Sequence, residues 1–347
     1  MTKKVAVALS GGVDSSVTAF LLKKQGYDVV GVCARTTNTA EADIVVSNAE
    51  EVAKKLNIPF YSLDVTELFQ KKIIDYFVNS YKKGETPNPC IMCNKYMKWG
   101  VLFDYAINNL GADFIATGHY AKINKVNGFY KFYPASDEHK DQLYFLFLLA
   151  QEQLSRTLFP LSNYKKEEVR KIANDNDLPS KSSKESQDIC FIKYPMTTKK
   201  FLNNLFVPKI GNFVEKSTGK ILGSHDGFWQ YTVGQRKGIG LAAPEALYVT
   251  DVDAVTNTVI VGYKNELYEE KLILKNFNWS YPVQEKTFEA LVKIRYNMQA
   301  VKARVEILEN QDVVLEFSPN TVSAIAEGQA CVLYDEKDGH LLGGAFI

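Results

Sequence analysis

The first two hundred residues alternate short apolar runs with helical patterns, and this alternation constrains the fold more than any other feature of the sequence. The segments 15–26, 47–57 and 66–81 carry apolar residues at helical spacing. Between them lie apolar runs that predict buried strands: KVAVAL (4–9), DVVGVCA (28–34), IPFYSLDV (58–65) and DFIATGHY (113–120). Strands that alternate with helices usually pair in parallel, so the sequence predicts an α/β domain with a doubly wound parallel sheet.

The pattern changes twice further along the chain. Residues 139 to 206 are mainly helical in pattern, in the runs DQLYFLFLLAQEQL, KKEEVRKIANDN and TTKKFLNNLF, and they are interrupted by the polar stretch SKSSKESQD. After Pro208 short alternating β-type runs take over. We therefore predict a catalytic domain over residues 1–206, a small β-rich central domain over 207–269, and a C-terminal β-barrel over 270–347.

The composition is that of an ordinary globular protein. Of the 347 residues, 46% are hydrophobic and 23% are charged, and the formal net charge is +1. No apolar run is long enough to span a bilayer, and the N-terminal run Val5 to Leu9 is shorter than the apolar core of a signal peptide. Five scattered cysteines fit a reducing compartment. We expect a cytoplasmic protein without membrane contact, and a nucleic-acid partner would require local basic patches.

The clearest chemical signal is ALSGGVDSS, residues 8–16, between the first predicted strand and the first predicted helix. The pair Gly11 and Gly12 lets the backbone approach an anion, and the helix N-terminus directs its free N–H groups at that anion. Ser10, Ser15 and Ser16 add hydroxyl groups. This combination predicts a phosphate-binding loop, although the lysine of the Walker pattern is missing.

The spelling S-G-G-x-D-S-S of this loop resembles the PP-loop of the ATP pyrophosphatase superfamily. Members of that superfamily split ATP between its α and β phosphorus atoms and activate an oxygen by adenylylating it. The resemblance implies that the chain binds ATP and Mg²⁺, and that Asp14 helps to hold the metal and the phosphates.

Cys90 and Cys93 lie three residues apart in TPNPCIMCNKYMKWG, residues 86–100. A structural zinc ion needs four ligands, and only Cys190, His119 or a distant residue could complete that set, so no metal ligand is certain.

A redox pair is a second interpretation of the same spacing. Such a pair sits at a helix N-terminus, whereas Pro87 and Pro89 predict an extended loop before a helix that begins near Lys95. Cys190 in KESQDICFI follows a polar run and opens an apolar one, a place where a mobile loop can present a thiol.

Seven motifs together resemble those of the tRNA-specific 2-thiouridylase family. They occur in the family's order and span nearly the whole chain: SGGVDSS, TPNPCIMCNKYMKWG, ATGHYA, KDQLYFL, SQDICFI, YTVGQRKGIGL and GQACVLYD. The resemblance implies a PP-loop domain, a small central domain and a C-terminal β-barrel. It also implies ATP-dependent transfer of sulfur to carbon 2 of the wobble uridine in tRNAs for Glu, Gln and Lys. The partners would be tRNA and a persulfide-donating desulfurase or sulfur-relay protein.

The resemblance assigns different roles to the three cysteines. Cys93 matches the nucleophile, and Cys190 matches the carrier of the persulfide, so release of the sulfur would join them in a disulfide. Asn88, Pro89 and Cys90 match the segment that meets the target base. We expect the active form to need a loop rearrangement on tRNA binding, because Cys93 and Cys190 are distant in sequence. An iron–sulfur cluster on the three cysteines, and a non-catalytic tRNA-binding paralogue, are the alternatives.

The same resemblance supplies the other expected contacts. The expected ATP contacts are Ala8, Leu9, Ser10, Gly11, Gly12, Val13, Asp14 and Ser15, with Gly118 as a second contact and Ala34 at the adenine position. The expected tRNA contacts are His119, Lys140, Asp141, Gln142, Arg295, Tyr296 and Gln329.

Overall fold

The computed structural model describes residues 2–183 and 189–347. Residues 184–188, which belong to the predicted polar stretch, lie outside the described residues. The α-helices are α1 Val13–Lys24, α2 Ala40–Leu56, α3 Thr66–Phe69, α4 Asp75–Lys82, α5 Pro89–Cys93, α6 Gln151–Ser155, α7 Lys166–Asp175 and α8 Thr198–Asn203. Wider π-helical turns occupy Gln70–Ile74, Asn94–Leu102 and Tyr105–Asn109, and 3₁₀ turns occupy Leu143–Leu146, Pro179–Ser182, Phe228–Gln230 and Lys264–Leu267. No helix among the described residues is both long and apolar enough to cross a membrane.

The N-terminal part is built on the parallel sheet that the sequence predicts. Its strands are β1 Lys4–Ala8, β2 Asp28–Arg35, β3 Phe60–Asp64, β4 Phe114–Ala116 and β7 Thr157–Leu158, and a separate hairpin is formed by β5 Ala121–Val126 and β6 Phe129–Pro134. The strand order is β3-β2-β1-β4-β7, and every pairing is parallel. After β1 the chain continues towards β2 on one side of the sheet, whereas after β4 it continues towards β7 on the other side. In sheets of this kind ligands bind in the crevice that this reversal opens at the carboxyl ends of the strands.

The cysteine segment departs from its predicted structure. We expected an extended loop up to a helix near Lys95, but α5 begins at Pro89 and continues into the π-helical turn. The error arises because proline breaks a helix interior yet is favoured at the first helical position, where its missing N–H has no partner to lose. Asn88 caps the helix by accepting a hydrogen bond from the N–H of Cys90 at 3.2 Å. Both cysteines therefore lie in the first turns of a helix.

The apolar run at residues 143–149 is also not the long helix that its pattern suggested. It forms one 3₁₀ turn and then runs irregularly, and Leu143, Leu146 and Phe147 are completely buried. Its backbone is satisfied by the C-terminal part of the chain, since the carbonyl of Phe147 accepts hydrogen bonds from Asn278 at 2.7 Å and Ser280 at 2.8 Å. A segment buried on all sides can meet its backbone needs through distant partners, so its apolar pattern does not require a helix.

The rest of the chain forms two further sheets. The first joins β8 Gly211–Glu215, β9 Ile221–His225, β10 Tyr248–Asp253 and β11 Thr258–Gly262. The second is antiparallel, in the order β12-β16-β15-β14-β17-β18-β13, with β12 Lys271–Leu274, β13 Asn278–Trp279, β14 Thr287–Lys293, β15 Val301–Ile307, β16 Val313–Phe317, β17 Ala330–Asp335 and β18 Leu341–Phe346. Its two edge strands follow each other in sequence with three residues between them, a connection that spans at most about 14 Å. The sheet must therefore curl until the linked ends of its edge strands come within about 14 Å of each other, which agrees with the expected C-terminal barrel. The domain limits at 206/207 and 269/270 stay predictions.

Candidate active site

The loop after β1 is held in shape by a glycine turn and by hydrogen bonds among its own residues. Gly11 has a φ of +69°, and a Cβ atom there would lie 2.5 Å from the Cβ of Asn48 in α2, so only glycine fits. The hydroxyls of Ser15 and Ser16 both donate to the carbonyl of Gly12, at 3.1 and 2.8 Å. We expected these serines to face an anion, but both are buried and shape the loop instead. Ser10 remains exposed at the mouth of the crevice, beside the free N-terminus of α1.

Asp14 is held by two residues that the sequence did not single out. The ammonium of Lys166 lies 2.7 and 2.6 Å from the two carboxylate oxygens, and the hydroxyl of Tyr120 donates to one of them at 3.0 Å. The Lys166 side chain is only 11% exposed, so this is a largely buried ion pair. A carboxylate beside hydroxyls has the right chemistry for Mg²⁺, but the lysine already occupies both oxygens. A carboxylate offers about four acceptor sites, so a magnesium ion on Asp14 stays a prediction, and we assign no step to one.

Gly118 and Ala34 lie at the same edge of the sheet as this loop. Gly118 follows β4, and a Cβ atom there would lie 2.8 Å from both the carbonyl carbon of Asp14 and the nitrogen of Ser15. Its missing side chain lets the strand end pack directly against the nucleotide loop. Ala34 lies near the end of the neighbouring strand β2 and is partly buried. The structure thus brings the expected ATP contacts together in the crevice at the carboxyl ends of the strands.

The segment that carries Cys190 is anchored by the next residue, Phe191. Its ring packs edge-on against Phe69 and Phe77 of the helical run 66–82, with centroids 6.1 and 5.4 Å apart. The apolar cluster that Phe191 joins also contains Cys93 and Met97. Packing of these side chains brings two segments that are distant in sequence to one place.

The three thiols influence one another electrostatically. Burial raises the pKa of Cys90, of Cys93 and, to about 12, of Cys190. Next in size for Cys190, the charges of Cys93 and Cys90 raise its pKa further, whereas Lys98 lowers the pKa of all three thiols. Because Phe191 packs in the apolar cluster that holds Cys93, and Cys90, Cys93 and Lys98 lie on one continuous helix, we group Cys90, Cys93, Cys190 and Lys98 as the thiol cluster. All five cysteines of the chain are free thiols, and solvent reaches Cys90 and Cys190.

The thiol cluster does not fit a zinc ion. Ligands about 2.3 Å from one zinc ion lie close to one another. Among the residues that the structure describes, only Asp335, Asp338 and His340 bring three potential ligand atoms within 4.8 Å of one another. An iron–sulfur cluster makes a different demand, because each thiolate binds a separate iron atom.

His119 lies between the thiol cluster and the nucleotide loop, because it contacts Lys98 and directly follows Gly118, which packs against the loop. It is buried, and burial together with the charge of Lys98 holds its pKa well below the usual value, so the imidazole is neutral. The ammonium of Lys98 can only donate, so Nε2 of His119 accepts its hydrogen bond at 3.1 Å. Nδ1 must then carry the proton and donate to the hydroxyl of Thr117 at 2.8 Å. In this state both ring nitrogens of His119 are hydrogen-bonded to neighbouring side chains of the protein.

Several expected tRNA contacts are engaged with other parts of the protein. The side chain of Gln329 donates to the carbonyl of Thr86 at 2.6 Å, which ties the barrel to the start of the cysteine segment. The hydroxyl of Tyr296 donates to the carbonyl of Asp141 at 3.0 Å. The side chain of Gln142 accepts from the N–H of Tyr120 at 3.1 Å.

Two further expected tRNA contacts also have internal partners. Arg295 donates to the carbonyl of Ser323. The N–H of Lys140 donates to the carbonyl of Asp137 at 3.0 Å. The predicted contacts with tRNA therefore stay predictions, and of these residues Gln329 and Tyr296 connect the barrel to the N-terminal part of the chain.

Comparison with known proteins places the whole chain. A family model described as a tRNA methyl transferase HUP domain matches residues 3–194, a PRC-barrel model of the same series matches 199–263, and an aminomethyltransferase β-barrel model matches 269–347. The tRNA-specific 2-thiouridylase MnmA of Clostridium acetobutylicum is 42% identical over 100% of this chain and 99% of its own length. The same-named protein of Clostridium perfringens is 42% identical over 99% and 98% of the two chains. The chain belongs to the tRNA-specific 2-thiouridylase family.

Part of the chain also resembles a solved structure. The U34-tRNA thiolase NcsA of Methanococcus maripaludis, solved with its [4Fe-4S] cluster, superposes with a TM-score of 0.36 and 20% identity, covering 55% of this chain and 60% of that one.

Sequence reasoning missed three charged or polar residues of this thiouridylase family member: Lys98, Lys166 and Tyr120. For the two lysines the position along a helix is a signal that a charge matters there, although it does not identify the partner. Lys98 lies five residues after Cys93, one π-helical turn further along the same helix. Lys166 is the first residue of α7, where a cation opposes the helix dipole and therefore calls for an explanation.

Proposed function

We propose that this chain is an ATP-dependent sulfurtransferase that places sulfur on carbon 2 of the wobble uridine of tRNAs for Glu, Gln and Lys. The observation that carries the proposal is the thiol cluster itself, assembled from distant segments and linked to the nucleotide loop through Lys98, His119 and the adjacent Gly118, which packs against the loop. The relatives at 42% identity over the full length are named as tRNA-specific 2-thiouridylases.

In the proposed reaction the phosphate-binding loop positions ATP so that the 2-oxygen of the uridine attacks the α-phosphorus and pyrophosphate leaves. Cys190 holds a persulfide received from a desulfurase or relay protein. The terminal sulfur of that persulfide forms a bond to carbon 2, and AMP leaves with the electron pair of the broken carbon–oxygen bond.

The second half of the reaction releases the sulfur from the enzyme. The thiolate of Cys93 attacks Sγ of Cys190, a disulfide forms between them, and the bond from Cys190 to the transferred sulfur breaks. The thiouracil anion takes a proton at N3 to give 2-thiouridine. Two equivalents of a cellular thiol, or one dithiol, then reduce the disulfide by two electrons before the next cycle and are themselves oxidised to a disulfide.

Reconstitution tests this proposal directly. The purified protein is incubated with unmodified tRNA, ATP and a protein persulfide donor, and both 2-thiouridine and AMP are measured. We expect one AMP for each 2-thiouridine, formed only at the wobble position. Binding of tRNA without AMP formation would instead identify a non-catalytic tRNA-binding paralogue.

An iron–sulfur-dependent thiolase is the second candidate, and the mutual influence of the three thiols favours it. In that case Cys90, Cys93 and Cys190 would bind a cluster with one iron open to sulfide. Iron content and single-turnover activity of anaerobically purified protein separate the two candidates. Full activity without iron removes this one.

A further inference from the structure

The positive charge of Lys98 is not balanced by a carboxylate of the described residues. The ammonium is partly buried, its hydrogen bond goes to the neutral imidazole of His119 at 3.1 Å, and it forms no ion pair with a carboxylate among residues 2–183 and 189–347. Partial burial of a cation without a counter-charge costs desolvation free energy. An anion that binds beside the cation, such as a substrate or a thiolate, offsets this cost.

The hydrogen-bond partner of this ammonium, His119, is itself held by two neighbours. Thr117 holds the other nitrogen of His119 at 2.8 Å, and the ring of Trp99, which is 2% exposed, lies 5.4 Å from the imidazole. The helix that carries Lys98 also carries Cys93 five residues earlier, and its π-helical geometry places residues five apart one turn from each other. The flexible lysine is thus held by rigid neighbours at the thiol cluster.

We propose that Lys98 is a catalytic residue whose charge stabilises the sulfur anions of the reaction, with His119 and Thr117 as positioning residues that hold its ammonium. This inference deepens the proposed function and rests on it. The anions concerned are the persulfide of Cys190 before it attacks carbon 2 and the thiolate of Cys93 before it attacks Cys190. A fixed positive charge in a partly buried site stabilises such anions more strongly than solvent does, because it needs no reorganisation.

The test combines two measurements on Lys98→Gln and Lys98→Arg, with Lys95→Gln as the matched control. Lys95 lies on the same helix but is exposed, and its ammonium lies 5.5 Å from the ring centre of Tyr96. The first measurement is the rate of alkylation of Cys93 and Cys190 by iodoacetamide at pH 8, followed by peptide mass spectrometry. It needs neither tRNA nor ATP, so it remains informative if the proposed function fails. The second is single-turnover thiolation of tRNA.

We expect Lys98→Gln to slow alkylation about tenfold and thiolation about 100-fold, with the melting temperature and tRNA affinity close to wild type. Lys98→Arg keeps the charge and should recover most of both rates, while Lys95→Gln should alkylate as the wild type does. Wild-type alkylation rates in Lys98→Gln overturn the proposal. So does an equal loss in Lys98→Gln and Lys98→Arg, because charge would then not be the property that matters. If Lys98→Gln does not fold, Lys98→Arg against wild type decides alone, since a slow arginine variant contradicts the proposal.

Discussion

The nucleotide loop and the thiol cluster are connected through His119, yet they are built in opposite ways. The loop is one contiguous segment, residues 8–16, whose glycine, buried serines and helix N-terminus define its shape locally. The thiol cluster joins one helix to Cys190, about a hundred residues further along the chain, and its parts meet only because Phe191 packs on a third segment. The backbone shape of the loop is therefore set mainly by its own residues, although Lys166 and Tyr120 hold Asp14 from elsewhere in the chain. The thiol cluster exists only through packing between distant segments.

The largest effects are expected where the thiol cluster carries the sulfur. Cys190→Ser cannot hold a persulfide and Cys93→Ser cannot release the sulfur, so each should abolish 2-thiouridine formation. Cys90→Ser leaves both roles in place and should only slow turnover. Single-turnover thiolation with iron determined on the same anaerobic samples is the measurement. Iron-dependent activity that disappears in Cys90→Ser would favour the iron–sulfur candidate and remove the two-thiol mechanism.

Asp14→Ala should be nearly as severe on the nucleotide side. It removes the carboxylate that the largely buried ammonium of Lys166 contacts and disturbs phosphate positioning, so AMP formation and thiolation should fall at least about 1,000-fold. The affinity for tRNA, measured by filter binding, should change less than twofold, since tRNA contacts are dispersed. Asp28→Ala, an exposed aspartate at the opposite end of the sheet, is the control. Persistence of ATP-dependent thiolation in Asp14→Ala would contradict the PP-loop assignment.

Phe191→Ala separates the two regions without touching a reacting group. Loss of its partly buried ring should lower the free energy of unfolding by about 2 kcal/mol and slow thiolation about tenfold, because Cys190 loses its anchor. The rate of AMP formation should stay near wild type. Tyr194→Ala, which removes a side chain that is 92% exposed nearby in the chain, should change neither quantity. An equal loss of adenylylation and thiolation would show that the two regions are not independently built.

The smallest expected effect concerns Asp141. It directly precedes Gln142, whose side chain accepts a hydrogen bond from the N–H of Tyr120. Burial raises the pKa of the Asp141 carboxyl to about 6. Below about pH 4 the carboxyl is protonated in both states, and as the pH rises towards 6 ionisation favours the unfolded chain, so stability is lost over this window. Asp141→Asn keeps the oxygen that accepts from the N–H of Ala135 but does not titrate. Chemical denaturation at pH 4 and pH 7 should show that the variant loses about 2 kcal/mol less than wild type. Equal losses would contradict the raised pKa.

The sequence predicted the parts that depend on local pattern. Strand β1, the turn at Gly11 and helix α1 follow directly from apolar runs and turn chemistry, and the barrel follows from its alternating strands. The start of α5 was missed because Pro89 has opposite effects inside a helix and at its first position. Lys98 and Lys166 were missed because a lysine has no local signature of its partner, and only the packed chain decides which charge it meets.

The backbone of residues 143–149 has a consequence for how the molecule could have evolved. The carbonyl of Phe147 is satisfied by Asn278 and Ser280, and the hydroxyl of Tyr144 donates to the carbonyl of Ala330 at 2.8 Å. These contacts lie within an apolar run that would be exposed to water if the barrel were absent. The barrel is therefore not an interchangeable appendage. Without it, the N-terminal domain would expose apolar surface to water, and the carbonyl of Phe147 would lose its hydrogen-bond partners. Gene fusion or domain exchange at this junction would have to carry both halves of the interface together.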